Sequence, residues 1–336
     1  MSTLVNKAEA QRPKHKGRST LNNAQTEQSL YTEPGFELSG VDFQGVSPYH
    51  SAMRIVTVTA LDDKGLRPYQ TLRRPLEHQQ DGIFVAEGEK VVRRLLDSDI
   101  AVRSLLLTPE WLEVYRPLLE AKHPDVVVYV ATKQLLESIV GFHLHQGTMA
   151  VATIPRPSTL QEAVARSGRP RLFVAVDGLT NAENLGVLVR NCAAFGVDAL
   201  IVGESSSSPY LRRAVRNSMG TVFNLPIVHV NSLAETLQNL RDVHGLRVLA
   251  AHPHTDQETL SSVGWEADCC IVFGSEGEGI APRILEACDA VFAIPMKKGV
   301  DSLNVASASA VVLYEVSRQR GNRVRNARGS NTTSGH

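Results

Sequence analysis

Cysteine is scarce. The chain has 336 residues and four cysteines, Cys192, Cys269, Cys270 and Cys288, none of them in a C-x-x-C pair. That pattern excludes a disulfide framework and a zinc knuckle, and it reads as reduced, buried thiols. Excess charge of either sign is also missing: 35 Lys and Arg balance 35 Asp and Glu. No global field draws a polyanion, so any nucleic-acid surface has to be local. No apolar run approaches the ~20 residues of a membrane span, and the polar N-terminus lacks the apolar core of a secretory signal. A cytoplasmic protein with no membrane partner is expected. A P-loop is lacking, and so is a dinucleotide fingerprint. Gly274, Gly277 and Gly279 follow an apolar run, but their spacing does not fit G-x-G-x-x-G.

What is present is alternation. From about residue 51, short apolar runs such as Ile83-Phe-Val-Ala86, Val102–Leu107, Val126–Val130 and Thr148–Ile154 alternate with helical patterns at 87–96, 111–121 and 133–140. That is a small α/β domain over 51–155. Pro155-Arg-Pro-Ser158 breaks the pattern and opens an expected linker, 156–170, with a short helix expected at Leu160–Ala165. Continuous apolar runs then resume at Leu172–Gly178, Ala199–Gly203, Ile227–Val230, Arg247–Ala251, Cys269–Phe273 and Ala290–Met296, separated by helices. Runs of this kind fit a parallel sheet buried on both faces, here over 171–318. Residues 1–50 read as a disordered polar tail. Residues 319–336, carrying Arg320, Arg323, Arg325 and Arg328, read as a basic disordered tail.

Three stretches carry chemistry. Asn181-Ala-Glu-Asn184-Leu-Gly186-Val-Leu-Val-Arg190 sets a lone arginine on an otherwise apolar helix, where it either snorkels to water or is held for a purpose. Gly274-Ser-Glu276-Gly277-Glu-Gly279 follows a strand, and its glycines permit close backbone approach. Ile294-Pro-Met296 leads through Lys297-Lys298-Gly299 to Ser302-Leu303-Asn304. Ser302 or Asn304 there can cap a helix whose interior is small: Ala306, Ser307, Ala308, Ser309, Ala310. His252, His254, Cys269 and Cys270 give a superficial look of a metal site, but their neighbours do not suit one, and no metal is assigned.

In this order and at these separations the three stretches resemble the motifs of the SpoU/TrmH family of RNA ribose 2′-O-methyltransferases, part of the knotted SPOUT superfamily. Phe84-Val-Ala-Glu-Gly88 and His145-Gln-Gly147 resemble the ribosomal-protein-like substrate-binding domain that precedes many such catalytic domains. The resemblance implies an α/β fold with a C-terminal SPOUT parallel sheet tied in a deep trefoil knot, behind a small RNA-binding domain. It implies S-adenosyl-L-methionine as cofactor, held by Gly274, Gly277, Gly279, Ile294, Met296 and Leu303. It implies catalytic roles for Arg190, Asn184, Ser302, Asn304 and Glu276, and a homodimer whose interface helps to build the site. Arg212, Arg213, Arg216 and His145 are the expected RNA contacts. Ribosomal RNA is the preferred substrate and transfer RNA the second. A non-catalytic RNA-binding or ribosome-assembly protein on the same fold is the alternative. Arginine stays protonated, so Arg190 is expected to orient a phosphate and lower the 2′-OH pKa; direct action as the base, primed by the phosphate, is the competing reading.

Overall fold

The structure is a computed structural model, and it describes residues 53–143, 146–253, 255 and 258–329. The first lobe runs β1 (Arg54–Thr57), α1 (Arg67–Gln70), α2 (Pro75–Gln80), β2 (Ile83–Glu87), α3 (Glu89–Leu96), β3 (Val102–Leu107), α4 (Pro109–Lys122), β4 (Val127–Val130), α5 (Lys133–Val140) and β5 (Thr148–Thr153). Its strands form a five-stranded sheet in the order β1-β4-β3-β5-β2. β5 is antiparallel to both its neighbours, and the other pairs are parallel. The start of the lobe was not expected from the sequence. β1 is an edge strand with three of four residues exposed, so it shows no apolar pattern. α1 and α2 are short helices opened by Pro68 and Pro75, too short to show a period.

The second lobe runs α6 (Leu160–Arg166), β6 (Leu172–Val176), α7 (Ala182–Ala194), β7 (Ala199–Val202), α8 (Arg212–Asn217), β8 (Ile227–His229), α9 (Leu233–Asp242), β9 (Arg247–Ala251), β10 (Glu258–Thr259), β11 (Cys269–Phe273), α10 (Pro282–Leu285), β12 (Ala290–Ala293) and α11 (Val305–Gly329). Seven strands order as β10-β12-β9-β11-β6-β7-β8, and every pair is parallel. Central β6 and β11 are buried at every residue, as their continuous apolar sequences require. Their C-terminal ends lie side by side, with the Asp177 N–H donating to the Phe273 carbonyl at 2.9 Å. Crevices at the carboxyl ends of parallel strands are where ligands bind in such sheets.

The expected boundaries are refined at two places. The short helix expected inside the linker, 156–170, is present as α6. Thr159 accepts from the Glu162 N–H at 3.2 Å and Glu162 accepts from the Thr159 N–H at 2.8 Å, a reciprocal cap that starts α6. Ala163 and Val164 of that helix then pack into the core of the second sheet. The C-terminal boundary at 318 moves as well, because α11 continues to Gly329. Arg320 fixes its course by donating to the carbonyls of Trp265, Pro170, Arg171 and Ala267 at 2.8–3.0 Å. The expected N-terminal tail, 1–50, lies outside the described residues.

The lobes share a core. The Phe84 ring stands 5.4 Å from Tyr210 and 5.7 Å from Phe223. The Arg94 guanidinium donates to the Met219 carbonyl at 2.6 Å. Each lobe holds one tryptophan. Trp111 stacks on Tyr115 at 5.5 Å, and fully buried Trp265 meets the Phe292 ring edge-on at 5.2 Å. Cys192, Cys269 and Cys270 are buried and all four thiols are free. Burial pushes the Cys269 thiol up to about 11 and Cys288 up to about 12, so both stay protonated.

Candidate active site

Three chain segments converge at the carboxyl ends of the central strands. The first is the N-terminus of α7. Asn181 caps it, its Oδ1 accepting from the backbone N–H groups of Glu183 at 2.9 Å and Asn184 at 3.1 Å. Gly186 follows because α8 crosses there: a Cβ at that position would stand 2.4 Å from the Ala214 carbonyl oxygen. The cap leaves the Asn184 side chain free to turn toward the other two segments.

The second segment is the glycine loop after β11. Ser275 N–H donates to the Gly279 carbonyl at 2.9 Å, and Gly279 sits at φ +71°, where a side chain is strained. A Cβ on Gly274 would meet the Gly279 carbonyl carbon at 2.2 Å. The loop is therefore folded back on its own backbone, and only glycine at 274 permits that. Buried Asp177 anchors its far end, accepting from the Ala281 N–H at 2.8 Å.

The third segment joins β12 to α11. Asn304 caps α11, its Oδ1 accepting from the Ala306 N–H at 2.9 Å. The same side chain closes a cluster. Asn304 Nδ2 donates to Glu276 Oε1 at 2.6 Å and to Asn184 Oδ1 at 3.2 Å, while Asn184 Nδ2 also donates to Glu276 Oε1. One carboxylate oxygen thus joins all three segments. Seven residues further along α7, Asn191 donates to the Ala306 carbonyl at 2.8 Å and to Ser309 Oγ at 3.0 Å. The small residues of α11 let the two helices approach closely enough for those bonds.

Beside the cluster is a cavity of ≈ 230 Å³. Gly274, Gly277, Gly279, Ile294, Met296 and Leu303, the six residues expected to hold a cofactor, all line it. Ser302 and Glu276 line it as well. Phe273, Ile280 and Phe292 supply apolar wall, and Glu278 adds a second carboxylate. Sequence reasoning missed Glu278, Asp177 and Asn191. Asp177 ends an apolar strand and Asn191 sits in an apolar helix, and a buried-strand or amphipathic reading draws no notice to either.

Arg190 is not part of the cluster. It is exposed and makes no hydrogen bond or ion pair with any described residue. Six residues from Asn184, it lies about a third of a turn around the helix from that side chain. Glu276 therefore bonds the two asparagines and not the arginine.

The expected RNA contacts lie in different surroundings. Arg212 is largely buried and forms an ion pair with Glu87 of β2, with its guanidinium 5.2 Å from the Phe142 ring centroid. Arg216 also reaches Glu87, at 3.3 Å, though its side chain is half exposed. These two arginines hold the lobes together, and the acidic partner lies 125 residues away in sequence. Arg213 is exposed, 3.7 Å from Glu183. His145 lies outside the described residues. Among the described residues no group of three or more His, Cys, Asp or Glu side chains could hold a metal, and no helix is long and apolar enough to cross a membrane.

The sequence model of the SpoU rRNA methylase family matches residues 171–314. An uncharacterised tRNA/rRNA methyltransferase of Mycobacterium bovis is 34% identical over 270 residues, which cover 76% of this chain and 90% of that protein. The 23S rRNA (guanosine-2′-O-)-methyltransferase RlmB of Yersinia pestis is 35% identical over 211 residues, 61% of this chain and 84% of that one. The AdoMet-bound rRNA methyltransferase of Sinorhizobium meliloti superposes with a TM-score of 0.68 at 23% identity, over 79% of this chain and 98% of that one, and so shares the fold. With a family model on the second lobe and relatives matched across both lobes, the chain belongs to the SpoU rRNA methylase family.

Proposed function

We propose that this protein methylates a ribose 2′-OH of structured RNA, of the 23S rRNA type, with S-adenosylmethionine as donor. The observation that carries this reading is the Asn184–Glu276–Asn304 cluster at the edge of the glycine-loop cavity. The similarity to the Yersinia pestis guanosine-2′-O-methyltransferase supports the ribose as target. The M. bovis relative, named for both RNAs, keeps tRNA as the second substrate.

The cavity fits the cofactor. Its walls are apolar side chains and loop backbone, suited to a purine, and two carboxylates, Glu276 and Glu278, suit a sulfonium charge. When bound, the cofactor supplies an activated methyl group and its own leaving group, so the chain has to provide position and a path for one proton. The backbone at Gly274, Gly277, Gly279, Ile294 and Leu303, with the Met296 side chain, would hold it. The two asparagines and Glu276 satisfy one another at the edge of the cavity. The Ser302 hydroxyl lines the cavity without a partner among the described residues, and it is the group left to hold the ribose 2′-OH. Alignment of this kind supplies roughly 7–11 kcal/mol in the best cases. Arg190, exposed and unpaired, takes a phosphate and lowers the 2′-OH pKa; phosphate oxygen or water accepts the proton.

The remaining parts of the reading go together. The segments around the cavity form the trefoil knot, the first lobe binds RNA, and the protein works in the cytoplasm. Ser307, Val311, Tyr314 and Arg318 make one exposed stripe on α11, with Val311 41% and Tyr314 59% exposed. A second copy covers that stripe and brings its own Arg190 to the site. The test uses tritiated S-adenosylmethionine with separated rRNA and tRNA. Alkali-resistant label in one pool, lost with Arg190→Ala, is expected. Tight RNA binding without label sinks the enzymatic reading. Val311→Glu with Tyr314→Glu should halve the mass found by sedimentation; an unchanged mass refutes the dimer.

A further inference from the structure

A second cavity, ≈ 400 Å³, lies where the two lobes meet. That volume is in the range of small-molecule sites, about 300–1,000 Å³. Its walls come from both lobes: Leu72, Phe84 and Ile154 from the first, Ala182, Tyr210 and Leu211 from the second. Arg73, Arg212 and Arg213 also line it, and Arg73 and Arg213 are exposed.

Two donors in these walls have no partner. Tyr210 is only 8% exposed, yet its hydroxyl makes no hydrogen bond with any described residue. The Nε of Arg212 is buried and likewise lacks an acceptor, although Glu87 holds the other edge of the guanidinium. Leaving the buried Arg212 Nε unanswered is unfavourable. An apolar side chain entering the cavity would seal the loss in place. The cavity asks for a flat group with acceptors on its edge, attached to something anionic that exposed arginines can meet. An unpaired nucleobase on its phosphate backbone has those features, and unstacked bases in RNA loops are commonly received by aromatic and arginine side chains.

The location points to the same ligand. Ala182 opens α7, and Asn184 of the active-site cluster follows two residues later, about 3 Å along the helix axis. Arg213 reaches Glu183 between them. The two cavities thus flank the same helix end. We propose that the lobe-junction cavity receives an unpaired nucleobase of the RNA substrate, a near neighbour of the methylated nucleotide. Tyr210 and Arg212 bond the base edge, and Arg73 and Arg213 take the flanking phosphates. This assignment rests on the RNA-methyltransferase reading and adds a subsite to it.

The test uses the full chain and a 4-thiouridine-substituted 23S rRNA transcript, irradiated and digested, with cross-linked peptides identified by mass spectrometry. A cross-link on the peptide carrying Tyr210 is expected. Arg73→Glu, an exposed change that leaves folding intact, should raise KM for RNA about tenfold with kcat and the cofactor KM unchanged. It should also lower the salt dependence of RNA binding by about one unit of slope. Tyr210→Phe keeps the ring and removes the hydroxyl, and should raise KM severalfold. If the wild type methylates RNA while neither variant moves KM and no cross-link falls in the cavity, the subsite is overturned and the enzyme stands. If cross-links fall in the cavity but no RNA is methylated, the subsite stands and the enzymatic reading falls.

Discussion

Glu276 offers the sharpest test of how the site is built. Its Oε1 accepts from both Asn184 and Asn304. Glu276→Ala removes both bonds. A hydrogen bond to a charged group contributes about 1.5–3 kcal/mol, and exposure of Glu276 puts each at or below the lower end. The direct Asn304–Asn184 bond at 3.2 Å survives and keeps part of the geometry. The loss of positioning is therefore about 2–3 kcal/mol, which corresponds to a fall of roughly 30- to 150-fold in kcat/KM. Stability should fall by no more than the same amount, because Asn304 still caps α11 through Ala306. Glu276→Gln keeps an acceptor oxygen in the same place and loses only the charge, a change of about 1 kcal/mol and roughly fivefold in rate. The assay is tritiated methyl transfer to rRNA, with a thermal melt of each variant. An alanine variant within threefold of wild type would refute the positioning role. A glutamine variant as impaired as alanine would show that the charge itself acts in the reaction.

Other consequences are as direct. Gly274→Ala forces a Cβ to within 2.2 Å of the Gly279 backbone; it should cost about 1–3 kcal/mol and abolish cofactor binding in a calorimetric titration. Glu87→Ala leaves the largely buried Arg212 without its counter-ion, and chemical denaturation should show a loss of about 3 kcal/mol, the low end for a broken buried pair because Arg216 is half exposed. Glu162 is held down to about 2, first by the Thr159 backbone N–H and then by Arg156. Its lowered value means a contribution to stability present above about 4.5 and lost as pH falls toward 2; Glu162→Gln should flatten the melting temperature across that window.

The second sheet could be read closely from sequence because its strands are buried on both faces and leave unbroken apolar runs; Cys269–Phe273 and Arg247–Ala251 match their expected limits. β1 escaped because an exposed edge strand is under no such demand. α11 escaped beyond residue 318 because arginines look solvated in sequence, whereas Arg320 turns its donors onto the backbone carbonyls of Trp265, Pro170, Arg171 and Ala267. The site divides the same way. Its residues could be named from motif order, but their arrangement could not. Which oxygen joins Asn184 to Asn304 depends on how three separate loops turn, and nothing local encodes that Arg190 faces water or that Arg212 answers Glu87.

The placement of the two tryptophans gives the molecule a built-in optical readout. Trp111 reports the first lobe through its stack on Tyr115. Trp265 touches the edge of Phe292, whose ring is part of the wall of the glycine-loop cavity. A ligand that shifts Phe292 alters the surroundings of one indole and leaves the other alone. Filling of the cavity and rearrangement of the first lobe are thus separable as two emission signals in an unlabelled chain, with Trp111→Phe as the variant that isolates the first.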